Sequence, residues 1–263
     1  MLTHYLRLWR QFIITAFVRE AEYRMNFVIG VGEGVAQLAL AVVSFLLLYR
    51  FTDQVAGWTQ AEVLMLVGVY RIVEGLINLQ IAPNMRAVSD YIRSGEMDFM
   101  LLRPVSSQFL VSLRILALPE GVNVLIGLAL LIYAGGVAGV QWRAAGVLAA
   151  VAFGLCGLLM LYALWLFMVT FAFWLVQINN LDVFFYSLFE TARYPVSFFN
   201  DLLRALLTFA FPVAFATTFP AQALRGQADL RLLPVGVVLA AALLVGTHVF
   251  WNFAVRHYSS ASS

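Results

Sequence analysis

Apolar residues along this chain gather in long runs, and polar residues punctuate them. Five runs, at 27–49, 60–83, 108–133, 145–175 and 232–253, are each long enough for a helix to cross a hydrocarbon core of about 30 Å. Residues 177–219 admit two partitions. In one, 181–197 is a short fifth span and 198–219 a hairpin entering the membrane again from the outer face. In the other, 177–200 stays at the cytoplasmic surface and 202–219 is the span. Either partition gives six crossings and leaves both termini on one side.

Residues 1–26 follow a different pattern. Leu2, Tyr5, Trp9, Phe12 and Ala16 recur at helical spacing, Leu6, Ile13 and Phe17 widen that face, and Arg7, Arg10 and Gln11 fall mostly outside it. Four arginines interrupt any continuous leader-like core, so the segment is expected to be a helix lying in the membrane interface. An amphipathic helix packed on protein gives the same pattern. Gly30 and Gly34 share one face of the first span, where small residues permit close helix packing.

Composition agrees with the pattern: of 263 residues 63% are apolar and 11% charged, against about 25% charged in soluble domains. Charge placement gives an orientation. Four arginines lie in the N-terminal segment, and Arg86, Arg93 and Arg103 lie between the second and third spans. The stretches at 50–59 and 134–143 carry one each. The positive-inside rule then places the N-terminus, residues 84–107 and the C-terminus in the cytoplasm of a multi-pass protein of the cell (inner) membrane. The same rule favours the second partition, because it puts Arg193 and Arg204 inside.

All 16 basic residues are arginine. Without lysine the chain carries no G-x-x-x-x-G-K-[ST] phosphate loop. Cys156 stands alone, and His4, His248 and His257 show no H-E-x-x-H spacing, so no motif-borne metal or catalytic site is expected. Glu33, Arg71, Glu74 and Glu120 fall within spans, where ionisable groups normally face a bundle interior or a water-filled cavity. Arg71 and Glu74, three apart, can pair on one face. They fit a role in helix packing, in substrate passage or in a proton relay. The aromatic-rich run 165–189 fits lipid-facing or core positions, or the lining of a path.

The most charged stretch is residues 86–114. Val88, Tyr91 and Ile92 form one face, Gly95 can end or bend a helix, and Pro104 stops one from continuing past Arg103. Its order, RSGEMDFMLLRPVSSQFLVSLR, resembles the segment before the third span of type-2 ABC (ATP-binding-cassette) exporter permeases. The matching positions are Arg93, Gly95, Asp98, Leu101, Leu102, Pro104, Val105, Ser106 and Arg114. A second stretch, FPVAFATTFPAQALRG at 211–226, is similar to that family's Asn-Pro-Leu-Thr-Tyr…Leu-Arg-Gly stretch. Pro212, Leu224, Arg225 and Gly226 fit; Phe211 stands for the Asn and Ala214 for the Thr.

The resemblance implies an all-α integral membrane protein. It would have six transmembrane helices, an interfacial N-terminal helix, a cytoplasmic coupling helix between spans two and three, and a re-entrant hairpin opened by Tyr194 and Pro195 before the last span. It implies a permease subunit with no catalytic residue and no cofactor of its own, whose partners are ABC ATP-binding subunits using ATP and Mg, a second permease (the same or a related chain) and the lipid bilayer, with no nucleic acid. The coupling role falls on Arg93, Gly95, Glu96, Asp98, Leu101, Leu102, Arg103 and Pro104, with Tyr5, Trp9, Arg10 and Phe12 of the interfacial helix bracing the contact. An ion- or proton-coupled secondary transporter using the intramembrane Glu and Arg, or a membrane scaffold without transport, are the alternatives.

Overall fold

The computed structural model describes residues 2–22, 24–175 and 181–258. The chain opens with α1 (Leu2–Glu22) and α2 (Arg24–Tyr49). A two-residue ladder, β1 (Gln54–Val55) against β2 (Trp58–Thr59), turns it into α3 (Gln60–Leu76). A π-turn at Ile77–Ile81 passes directly into α4 (Ala82–Arg93), so residues 60–93 form one helical rod. The boundary expected at residue 83 therefore falls inside a helix. Pro83 is tolerated there because the widened turn before it relieves the ring's demand on the preceding carbonyls.

Gly95, with φ of 74°, ends the rod and opens α5 (Glu96–Leu101). Beyond the Pro104 bend come α6 (Ser107–Leu113), a break at 114–117, one 3-10 turn at Leu118–Glu120 and α7 (Gly121–Val137). The single span expected at 108–133 is thus two helices. The chain continues through α8 (Ala144–Thr170) to α9 (Leu181–Phe189), then through α10 (Asp201–Ala205) and α11 (Phe219–Leu224) to α12 (Leu232–Arg256). Residues 177–180 of the ambiguous stretch, and the last five residues, lie outside those described.

Among the described residues, five helical runs are long and apolar enough to cross a membrane: Ile29–Tyr49, Gln60–Arg93, Leu118–Val137, Ala144–Phe173 and Leu232–Arg256. A bent pair, Asp201–Ala210 and Ala214–Leu224 at 83° to each other, meets the same measure only when its two limbs are taken together. The segment expected as a fifth span is not one helix. After α9 it tightens to a 3-10 turn at Glu190–Arg193 and becomes extended at Tyr194, as a residue before proline prefers.

Glycines set the closest helix contacts. A Cβ on Gly68 would lie 2.7 Å from the backbone nitrogen of Leu131, and one on Gly127 would lie 2.8 Å from that of Ile72, so α3 and α7 meet backbone to backbone. Gly157 and Gly146 of α8 do the same for the limb running from Phe215 to Ala223. Thr247 of α12 donates to the Ala163 carbonyl of α8. Gly34 of α2 packs on Asn123 and Gly30 near Pro119, on the shared face expected of them. Trp165, Phe185 and Phe189 are fully buried, with Trp165 and Phe185 stacked at 4.1 Å. Phe167, Phe171 and Trp174 are exposed, so the aromatic run divides between core and outer surface.

Candidate functional site

The segment after the rod folds into a small cap with an apolar underside. Met97 and Met100 of α5 are buried with Val88 and Tyr91 of α4 and Leu110 and Val111 of α6. Arg114 reaches back to Glu96 at 3.3 Å and lies over the Tyr91 ring, closing the cap's two ends on each other. Arg93 pairs with Asp90 at 2.7 Å. Phe99 and Leu102 point away from this core, 69% and 82% exposed, beside exposed Arg103 and Pro104. Leu101 is half-buried against the core cluster. Asp98 lies in the first turn of α5, where a carboxylate favours the helix dipole. The cap therefore offers an outward-facing apolar tip on a braced base.

The break at 114–117 exposes backbone groups that side chains from the rod satisfy. Buried Asn84 donates to the Ile115 carbonyl at 2.7 Å and accepts from the Ile115 N–H at 2.9 Å, imitating a strand partner. Gln80 donates to the carbonyls of Ser112 and Ile115, and the Ala117 N–H reaches the Leu79 carbonyl. Arg19 of α1 donates to the Leu116 carbonyl at 3.1 Å. Further along α1 the Tyr5 hydroxyl accepts from the Ser106 N–H, and its ring meets Phe109 edge-on at 4.7 Å. Bracing by the N-terminal helix thus runs through Tyr5 and Arg19, with Phe12 packed on the core, whereas Trp9 and Arg10 are exposed.

Between α2, the rod and α9 lies a cavity of about 620 Å³. Arg71 is buried there, donating to Glu74 at 2.7 Å and Gln37 at 3.2 Å, and the Tyr70 hydroxyl donates to Glu74 at 3.1 Å. Glu120 lines the same space and accepts from Asn123. Arg86, Glu190 and Arg193 complete its charged lining, which balances three arginines against three glutamates. Glu33 is exposed and does not line it. The structure thus unites Arg71, Glu74 and Glu120 and leaves Glu33 apart.

At the opposite end of the rod from the cap, Arg225 pairs with Glu62 at 2.6 Å, both largely buried, and its guanidinium lies 4.4 Å from the Trp58 ring centroid. Burial lowers the Arg225 pKa, and the Glu62 carboxylate works against that shift. Glu62 also accepts from the Thr59 N–H at 2.8 Å, capping α3. Gly226, at φ 71°, is the left-handed residue that ends α11 just after Arg225. Pro212 is buried at the bend of the hairpin, and Tyr194 packs on Phe45.

A family model described as ABC-2 family transporter protein matches residues 35–262. The chain belongs to that family. No curated protein matches it. It is accordingly a multi-pass permease of an ABC transporter, and membership implies association with ABC ATP-binding subunits. In this permease most of the residues singled out in sequence occupy three places, the cap, the cavity and the far end of the rod, while Glu33 and the α1 residues lie outside them. Sequence reasoning passed over Asn84, Gln80, Glu62 and Trp58. A buried amide whose partners are 31 residues away has no local signature. Glu62, three residues after Thr59, did carry the capping-box spacing.

Proposed function

We propose that the chain forms half of the translocation path of an ATP-driven exporter and pairs with a second permease and two ATP-binding subunits. The observation that carries this reading is the cap: an exposed apolar tip at Phe99 and Leu102, on a base tied by Asn84 and Glu96 to the rod and the broken third span, in a chain of the ABC-2 family. The cap is the docking element for the ATPase and lies in the cytoplasm with both termini. Movement of the cap reaches the membrane without an intervening loop, because α4 is continuous with α3. The cavity beside Arg71 and Glu74 is a polar space at membrane depth, where such residues mark a substrate path.

Contacts along the rod support a topology. Asp182 pairs with Arg86 at 3.7 Å, Tyr186 bonds Asn78, Phe189 stacks on Tyr70, and Ser197 meets Trp58. Residues 181–197 run antiparallel to the rod from its cap end to its far end, and are read as the fifth crossing. The chain then turns inward to Phe211 and returns to Glu62 through Arg225, so 198–219 re-enters from the outer face. This favours the first partition over the arginine count.

Gly95→Pro removes the positive φ that α5 requires, and Asp98→Ala removes the carboxylate from its first turn. Either variant, co-expressed with the ATP-binding subunit, is expected to reach the membrane and to lose ATP-driven transport in reconstituted vesicles. Transport at the wild-type rate in both rules out coupling through the cap. Failure of any ATP-binding subunit to co-purify with the wild-type permease favours a secondary transporter or a scaffold.

A further inference from the structure

Two glycine-packed bodies make up most of this permease. One joins the rod to α7 through Gly68, Gly75 and Gly127; the other joins α8, the hairpin limb 214–224 and α12 through Gly146, Gly157 and Gly236. Between them runs one continuous apolar core, crossed by a few polar contacts. Ser112 bonds Tyr162, Trp251 donates to Ser107, and Arg225 pairs with Glu62.

The contact at the far end is the most concentrated of these. Within five residues, Trp58 and Glu62 hold both feet of the hairpin. The Trp58 indole N–H donates to Ser197 at 3.1 Å where the chain turns in. Its ring and the Glu62 carboxylate take Arg225 where the chain comes out. Glu62 is itself fixed by the Thr59 N–H, so the anion cannot swing to follow a moving guanidinium. At the other end of the same rod, Asn84 fixes the base of the cap.

We infer that Trp58, Glu62 and Arg225 form a latch that holds the hairpin closed on the rod, and that the rod carries displacement of the cap to this latch. The inference rests on the reading of the hairpin as re-entrant from the outer face. Releasing the Arg225–Glu62 pair frees one foot of the hairpin from the rod. The bend of the hairpin at Phe215 and Ala216 then separates from the middle of α8.

The native cysteine reports on this. Cys156 is buried beside Gly157, against which Phe215 and Ala216 pack. In the permease alone, in right-side-out membrane vesicles, a sulfonated impermeant maleimide is expected to label wild-type Cys156 slowly. Glu62→Gln and Arg225→Gln should each raise the rate about tenfold, and the double variant should raise it no further, because either change alone opens the latch. If a single variant does not accumulate, Arg225→Lys and Ser197→Ala carry the same test, each with a rise of a few fold. Wild-type labelling rates in the variants overturn the latch, as do effects that multiply in the double variant. Labelling seen only in inverted vesicles instead overturns the orientation on which the latch rests. Because no ATPase is present, none of these outcomes bears on whether the permease couples to one.

Discussion

Asn84 shows how one side chain decides the shape of a segment built from two helices. An α-helix broken in mid-span leaves carbonyl and N–H groups that lipid cannot satisfy, and each costs several kcal/mol if left bare. The break at 114–117 is stable because Asn84, Gln80 and Arg19 bring donors and an acceptor to it. Asn84→Ala strands the Ile115 N–H, leaves its carbonyl to Gln80 alone, and should destabilise the permease by about 1–3 kcal/mol. The measurement is the thermal midpoint in detergent, and a midpoint equal to wild type speaks against the clamp. Arg71 is a similar case: its ion pair with Glu74 lies within α3, its bond to Gln37 joins α3 to α2, and both charges are largely buried.

Among the elements, the rod and α7 depend on the absence of side chains rather than on their identity. Gly127 admits the Gly68 carbonyl within 2.9 Å of where its Cβ would stand, and Gly75 admits Val124 equally closely. Gly127→Val is expected to push α7 off the rod, costing more than the roughly 1–3 kcal/mol typical of overpacking because backbone, not a flexible side chain, is in the way. Yield of monodisperse permease on size exclusion tests this, with Gly121→Ala as the control, since nothing lies near a Cβ there. Equal yields for Gly127→Val and wild type contradict the close contact. The π-turn at Ile77–Ile81 belongs to the same logic. It shifts the register of the rod by one residue just before Asn84 meets Ile115.

For the whole molecule the topology of 181–224 decides which surfaces face which solution. Asn200 lies near the start of residues 198–219, exposed at the N-cap of α10. In a Cys156→Ser background, Asn200→Cys should react with an impermeant maleimide added outside intact cells. Protection from outside, with labelling only after permeabilisation, removes the re-entrant arrangement. The largely exposed faces of α2, α7 and α12 are the area left for lipid.

Residue order alone determined the membrane class, the presence of several long apolar helices, the lack of a phosphate loop and the resemblance of residues 93–114 to a permease segment. Each follows from local pattern: run length against bilayer thickness, or a short motif around Gly95 and Pro104. The tertiary structure decided what pattern leaves open. It merged the second span with α4, divided the third, laid 181–197 along the rod in mixed conformation, and separated Glu33 from Arg71 and Glu74. The reason is physical. Inside a bundle, backbone need not be a continuous helix, because Asn84, Gln80 and neighbouring carbonyls replace its missing partners. Those replacements come from residues tens of positions away, and no window of sequence contains both halves of the bond.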